Sequence, residues 1–401
     1  MKSVVALARC AGYGAEALDR VIAETAESAG MPEVRGARVL VKPNLLNASA
    51  PERAATTHPG FVAAVVRLLR LRGASLVMVG DSPAWQNQYY VGGKTGVREA
   101  AESAGAEWVE FSGSCDAGDR ENLLVKSFAF ADAYGRADLL FNLPKLKTHM
   151  LTSLSGAVKN LFGLIPGLSK SAWHMRFPGG REFGTMLADL ARAARPDFTF
   201  MDAVVAMEGP GPNNGRPRRL DLVLASKDAF ALDRIACRIV GYDPDRIVHL
   251  APGIGSGDHA PAIVGLDLET ARVRHFETVR TPREGTPFSK ILPSRIHAVV
   301  RDLVALRPVF DAVRCTRCSG CVKICPAGVL ELEPVSGESG RTSGPAGVRI
   351  EHGNCIRCYC CHEVCQSDAV RLVRRPFAAW RAGGVQDRQG IRAGAGTAKE
   401  E

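Results

Sequence analysis

Cys315, Cys318, Cys321 and Cys325 stand at the spacing C-x2-C-x2-C-x3-C, with Pro326 directly after, and Cys355, Cys358, Cys361 and Cys365 repeat it. Three closely spaced thiolates on a tight loop grip three irons of a cubane, and the fourth iron takes a ligand from elsewhere. Where two such runs share one chain, the last cysteine of each crosses to the other cluster. The spacing therefore predicts two [4Fe–4S] clusters. One is held by Cys315, Cys318, Cys321 and Cys365, the other by Cys355, Cys358, Cys361 and Cys325. Zinc is the rival, but a zinc site needs four ligands, usually two C-x2-C knuckles on a long spacer. Here each run adds a third cysteine at the same interval and a fourth beyond it. The second run departs slightly: Gln366 replaces the proline, and Cys360 is an extra thiol, read as a bystander. Cys10, Cys115 and Cys237 are scattered and read as buried free thiols.

A second set of polar residues follows apolar runs in the first 260 residues. Lys42, Asn44, Asp81, Lys159, Asp202 and Glu208 are candidate substrate-binding residues, and His149, Lys145 and Lys147 are candidate catalytic residues. Lysine ammonium groups bind carboxylate or phosphate as point charges, and histidine exchanges protons in the useful range. Each has a plainer reading beside it. A lysine is often solvated surface, an Asp at a strand end often caps the next helix, and a lone histidine is often a hydrogen-bonded structural one. His58 reads as serving a helix start, and His174 carries no distinguishing context. A metal held by two histidines and a carboxylate lacks the short-range H-x-H or H-x-x-x-H spacing that would support it, and a further metal or organic cofactor is left open. Gly253-Ile254-Gly255-Ser256-Gly257 reads as a plain loop.

These groups need elements to position them. Strands are expected over 3–8, 38–41, 75–79, 108–111, 139–143, 198–207 and 220–225. Helices are expected over 15–29, 58–71, 97–103, 153–164, 185–194 and 228–240. In the 58–71 helix Phe61, Val62, Val65, Val66 and Leu69 share one face, with Thr57 placed to cap it and Pro59 in its first turn. Alternation of this kind predicts an α/β fold, a mostly parallel sheet with flanking helices. Ligands of such sheets sit beyond the C-terminal strand ends, where the polar groups lie. No G-x-G-x-x-G or P-loop follows the first strands, so neither a nicotinamide nor an ATP site is expected. The pattern then changes. An amphipathic helix over 294–306 bridges to a small module with strands over 329–332 and 348–351, joined by a Gly/Ser/Pro-rich connector over 336–347.

The residues now carry a resemblance. Val41-Lys42-Pro43-Asn44, Thr56-Thr57-His58-Pro59, Gly80-Asp81-Ser82, Asn142 through His149, Gly156 through Gly163, and Met201-Asp202 with Glu208-Gly209 resemble the domain of unknown function 362 family. The resemblance covers roughly residues 1–260 and implies the fusion to a two-cluster ferredoxin-type segment found here. It leaves the activity open. A remoter likeness to the N-terminal domain of lactate racemase-like proteins implies neither a nickel cofactor nor an isomerase reaction. The expected organisation is an α/β domain over 1–270 and a linker with bridging helix over 271–308. A small α+β bacterial ferredoxin-like domain over 309–373 and a disordered tail over 374–401 follow.

Composition narrows the class. Hydrophobic content of 46% with 23% charged residues permits a sizeable core. No run approaches the length of a membrane span, and the N-terminus reads as a strand rather than a signal segment. Thiolate cluster ligands call for a reducing compartment, so the expectation is cytoplasmic, with no membrane partner. The net charge of +9 comes without an aromatic-and-basic stripe, so no nucleic-acid partner is expected. Two classes of function remain. One is a ferredoxin-dependent iron–sulfur oxidoreductase acting on a small anionic substrate, exchanging electrons with a low-potential donor or acceptor protein. The other is a non-catalytic electron-transfer or maturation subunit that docks a partner through its α/β domain.

Overall fold

The computed structural model describes residues 2–255, 260–279, 306–333 and 347–373. Apart from single end residues, the bridging helix, the connector and the tail lie outside them, as does part of the Gly253–Gly257 loop. Ten strands form the main sheet: β1 Val4–Arg9, β2 Arg38–Pro43, β3 Leu76–Val79, β4 Glu107–Trp108, β5 Leu139–Leu143, β6 Lys145–His149, β7 Ser153–Ser155, β8 Phe198–Glu208, β9 Arg216–Ser226 and β10 Ala262–Gly265. Their order is β10-β1-β9-β8-β5-β2-β3-β4, with β6 pairing β8 and β7 at one end. The β4-β3-β2-β5-β8 run is parallel, as is the β1–β10 pair, and β9 is antiparallel to both neighbours. The fold is thus α/β with a mostly parallel sheet.

The parallel centre is buried on both faces, which is why its strands read as continuous apolar runs such as Val39-Leu40-Val41. One face packs on helices α1 (Ala15–Ser28) and α2 (Pro59–Leu71) through Leu18, Ile22, Phe61 and Val65. The other packs on α5 (Gly180–Ala194) and α6 (Ala229–Ile239), here numbered after α3 (Ala157–Asn160) and α4 (Ser169–Arg176), through Met186, Leu190, Leu232 and Ile235.

Three expectations need correction. His58, not Thr57, is the N-cap of α2: its Nδ1 accepts the Gly60 N–H at 3.1 Å. Thr57 is turned inward, its hydroxyl donating to the Leu143 carbonyl at 2.7 Å. The expected 153–164 helix is instead a short strand, the α3 turn and a 3-10 turn, Leu161–Leu164. Gly156 breaks it, because a side chain there would lie 2.1 Å from the Asp233 carboxylate that caps α3. Strand 108–111 is only Glu107–Trp108, since β4 is the sheet edge.

The cysteine module is a two-fold repeat. Short helices α7 (Gly320–Ile324) and α8 (Cys360–Val364) pack together. Two-stranded pairs flank them, Arg307–Phe310 with Val370–Val373 and Leu330–Leu332 with Val348–Ile350. Val329, Leu330, Val348 and Val370 close a small core around the cysteines.

Candidate functional site

The module docks against the C-terminal ends of β2, β3 and β5. Trp85, beyond β3, lies so close to Gly320 that a side chain there would meet its ring at 2.7 Å. Arg53 pairs with Asp368 at 3.4 Å, and Asn213 Nδ2 donates to the Cys365 carbonyl at 2.5 Å. Between the two parts lies a cleft of about 630 Å³, its open mouth included. The α/β wall presents Asn44, Asp81, Ser82, Lys159, Asn160, Lys170 and His174, and the module presents Ile324, Cys360, Glu363 and Val364.

The floor is held by short-range bonds. Lys42 and Asp81 form a buried ion pair at 2.7 Å, and Asp81 also accepts the Leu45 and Ser82 N–H groups at 2.7 and 2.9 Å. Gly163 makes room for this pair: a side chain there would fall 2.2 Å from Asp81 Oδ1 and 2.6 Å from Lys42 Nζ. An amide ladder joins the strand ends to α3, Asn44 to Asn160 at 3.0 Å and Asn160 to Asn142 at 2.8 Å. Lys170 Nζ donates to the Ser82 carbonyl at 2.6 Å. Burial pushes its ammonium down to about 7, so near neutrality its charge is poised. Lys159, half-buried on the cleft wall, has no ion-pair partner among the described residues.

Lys145, Lys147 and His149 alternate along β6 and so lie on one face, but four residues of strand span about 13 Å, too far for one small substrate to touch all three. Lys145 is the correction. It is locked at 2.8 Å to Asp202, which also accepts the Tyr13 hydroxyl at 2.8 Å and the His58 N–H at 3.0 Å. Tyr13 stacks on His58, centroids 3.5 Å apart. A β-bulge after Ala203 frees the Val205 N–H to donate to the Tyr13 oxygen at 3.1 Å. Lys145 and Asp202 thus form an internal hub that does not line the cleft. Lys147 donates to the Ala55 carbonyl at 2.5 Å, and burial, with Lys159 nearby, pushes its ammonium well below the usual lysine range. Glu208 is apart as well, accepting the Glu277 N–H at 3.0 Å.

His149 does reach the module. Its Nδ1 accepts the Leu151 and Thr152 N–H groups at 3.0 and 3.3 Å, which leaves the proton on Nε2. Nε2 lies 2.7 Å from Glu363 Oε1, without the alignment of a hydrogen bond. Burial pushes the imidazole down to about 4, so the ring is neutral at ordinary pH. Glu363 feels burial upward, but His149, Lys159 and His174 outweigh it and hold the carboxyl below its usual range. His174 stacks on Phe183 at 4.3 Å, and burial lowers it to about 4. Glu363 and Lys170 were missed in the sequence, whereas Ser82 stands out there beside Asp81 after a strand, inside the Gly80-Asp81-Ser82 motif.

In the module, Cys321 has Cys318, Cys365 and Cys315 as electrostatic neighbours, and Cys361 has Cys358, Cys355, Cys321 and Cys325. Burial pushes Cys321 up to about 11 and Cys361 well above its usual value, so a cation is what would deprotonate them, as iron does. Among the described residues no three His, Cys, Asp or Glu side chains converge as ligands of a single ion would. A cubane asks otherwise, placing each thiolate on its own iron. Arg317, Ser319, Arg357 and Tyr359 are all left-handed, φ 56 to 61°. Repeated at equivalent positions, such residues turn backbone N–H groups into nests for an anionic group. The donor set fits an iron–sulfur cluster.

Residues 39–238 match the domain of unknown function family (DUF362). The thylakoid-associated protein sll1697 of a Synechocystis species is 40% identical over 219 residues, 54% of this chain and 67% of that protein. The chain belongs to the DUF362 family. Beyond the DUF362 domain, residues 314–369 match a 4Fe-4S dicluster domain, so this is an iron–sulfur DUF362 protein. The lactate racemase apoprotein from Thermoanaerobacterium thermosaccharolyticum aligns with a TM-score of 0.38 at 14% identity, over 60% of this chain and 57% of that one. No helix among the described residues is long and apolar enough to cross a membrane.

Proposed function

We propose that this DUF362 protein is a cytoplasmic two-cluster oxidoreductase that reduces or oxidises a small anionic substrate in the cleft, exchanging electrons with a low-potential partner protein. One observation carries the reading: the dicluster module itself forms a wall of a cleft whose opposite wall holds an unpaired lysine. The proposed ligand sets are Cys315, Cys318, Cys321 and Cys365, and Cys325, Cys355, Cys358 and Cys361. When bound, each cluster supplies or accepts single electrons at a potential set by its surroundings. The chain does the rest. Lys159 and Lys170 hold the anion, and the Lys42–Asp81 pair with the amide ladder fixes the floor beneath it. His149, fully buried, does not touch the substrate; its Nε2 faces Glu363 at 2.7 Å and orients that carboxylate, which lines the cleft.

The test is reoxidation of dithionite-reduced, partner-free protein by a panel of small carboxylates and phosphates. At least one should reoxidise it. Lys159→Ala or His149→Gln should slow that step by about a hundredfold or more while cluster absorbance stays intact. Reoxidation by none of them would favour the non-catalytic electron-transfer or maturation subunit, with the α/β domain as a docking platform. Wild-type rates in both variants would remove these residues from the site.

A further inference from the structure

The amide ladder on the cleft floor has a direction, and that direction leaves one oxygen over. It starts at the Ala157 carbonyl, which can only accept, so Asn142 turns its Nδ2 there at 3.0 Å. Asn142 Oδ1 then accepts Asn160 Nδ2 at 2.8 Å, and the same Nδ2 faces the Lys42 and Pro43 carbonyls at 3.4 and 3.5 Å. Oxygens on every side of that amide end fix it as the nitrogen. Asn160 Oδ1 is left to accept, and Asn44 Nδ2 donates to it at 3.0 Å. Asn44 Oδ1 comes last. It is buried and has no hydrogen-bond partner among the described residues, and Asn44 lines the cleft. Turning this amide over would set its oxygen against Asn160 Oδ1. Thr57 holds the backbone as well, its hydroxyl accepting the Asn44 N–H at 2.9 Å and its own N–H donating to the Asn44 carbonyl at 3.0 Å.

A buried acceptor without a donor bears its desolvation cost uncompensated. The other polar groups of the cleft are donors or are already engaged. Lys159 and Lys170 bring ammonium groups, and Ser82 Oγ, which accepts the Gly167 N–H at 2.6 Å, keeps its own proton to give. Asp81 is taken up by Lys42 and by the Leu45 and Ser82 N–H groups. Glu363 Oε1 faces the His149 ring. We infer that the cleft takes an anion that also carries a hydroxyl or N–H group, with its charge on Lys159 and Lys170 and its donor on Asn44 Oδ1. The inference rests on the anion-binding cleft proposed above and narrows its substrate class. A plain carboxylate or phosphate satisfies the lysines and leaves Asn44 unpaired. A site built to hydrogen-bond a substrate donor rejects the analogue lacking it, because its own polar group then stays unpaired.

Calorimetric titration of the full chain, purified without oxygen, tests it with probes that differ by one group: glycolate against propionate, and hydroxyethyl phosphate against propyl phosphate. In each pair a methyl replaces the hydroxyl. The hydroxylated member should bind at least about tenfold tighter. Asn44→Leu should bring that ratio close to one, whereas Lys159→Gln should weaken both members and leave the ratio where it was. A purely structural Asn44 would not move the ratio. Equal affinities within both pairs would overturn the inference and leave the anion cleft standing, with a bound water serving Asn44. That comparison is made on the wild type, so it holds whether or not Asn44→Leu folds. A preference that survives Asn44→Leu would overturn the assignment to this oxygen. Binding of none of these anions would overturn the inference and the anion cleft together. A tenfold preference without reoxidation of the reduced protein would uphold the inference and count against the oxidoreductase reading alone.

Discussion

Lys170 shows how a single buried charge ties stability to the site. Its folded value is lowered to about 7 from an ordinary 10.5. Below pH 7 the lysine is charged in both folded and unfolded chains, and its desolvation cost is borne in full. Between about 7 and 10.5 the unfolded chain binds more protons, so stability rises with pH across that window. The cost is at most roughly 4–5 kcal/mol at one pKa unit per 1.36 kcal/mol. Lys170→Met should therefore melt above wild type at pH 6.5, and the gap should narrow by pH 9.5; a gap independent of pH would refute this. The variant should also bind cleft anions more weakly. Residues of this kind divide in legibility. The ligand cysteines announce themselves by spacing, because chemistry fixes the interval. Lys42, Asn44 and Asp81 are findable because they stand at strand ends, and Lys159 because it lies in the Gly156–Gly163 motif. Lys170 and Glu363 are not, since each sits on a helix whose sequence gives no sign of what it will face.

Gly163 carries the same logic to the level of an element. The 3-10 turn Leu161–Leu164 closes over the Lys42–Asp81 pair only because it offers no side chain at this point. Gly163→Ala should force the ion pair apart and cost about 1–3 kcal/mol, as overpacking does. It should also weaken anion binding. Gly14→Ala is the control: its added methyl meets nothing within 4 Å, and its φ of −61° suits any residue. Its melting temperature should stay within a degree or two of wild type, and equal losses in both would refute the argument. Strands such as Leu139–Leu143 and helices such as Val97–Ser103 were readable because local periodicity and burial agree there. The region after Ser153 was not, since its apolar run is helix-like in pattern while its backbone is dictated by the remote Asp233 carboxylate, which accepts the Ala157 and Val158 N–H groups at 2.6 and 2.9 Å.

The docking of two domains is the least legible level, because none of its contacts has a spacing. Asn213 and Cys365 are 152 residues apart, and His149 meets Glu363 across a still larger interval. The α/β domain has two extensive cores of its own, whereas the module's core is four valines and leucines set among cysteines. So small an apolar interior does not outweigh the entropy of ordering the module's chain, and iron–sulfur bonds are the remaining source of stability, as in other small metal-dependent domains. Chelation of iron under reducing conditions should then open residues 306–373 to limited proteolysis while the sheet and helices of the α/β domain resist. Peptide mass mapping reads this directly. The cleft loses one wall in that state, so His149, fully buried in the docked protein, should become reactive to diethyl pyrocarbonate as the module is lost. A module that resists protease without iron, with His149 still shielded, would mean that packing alone holds the two halves together.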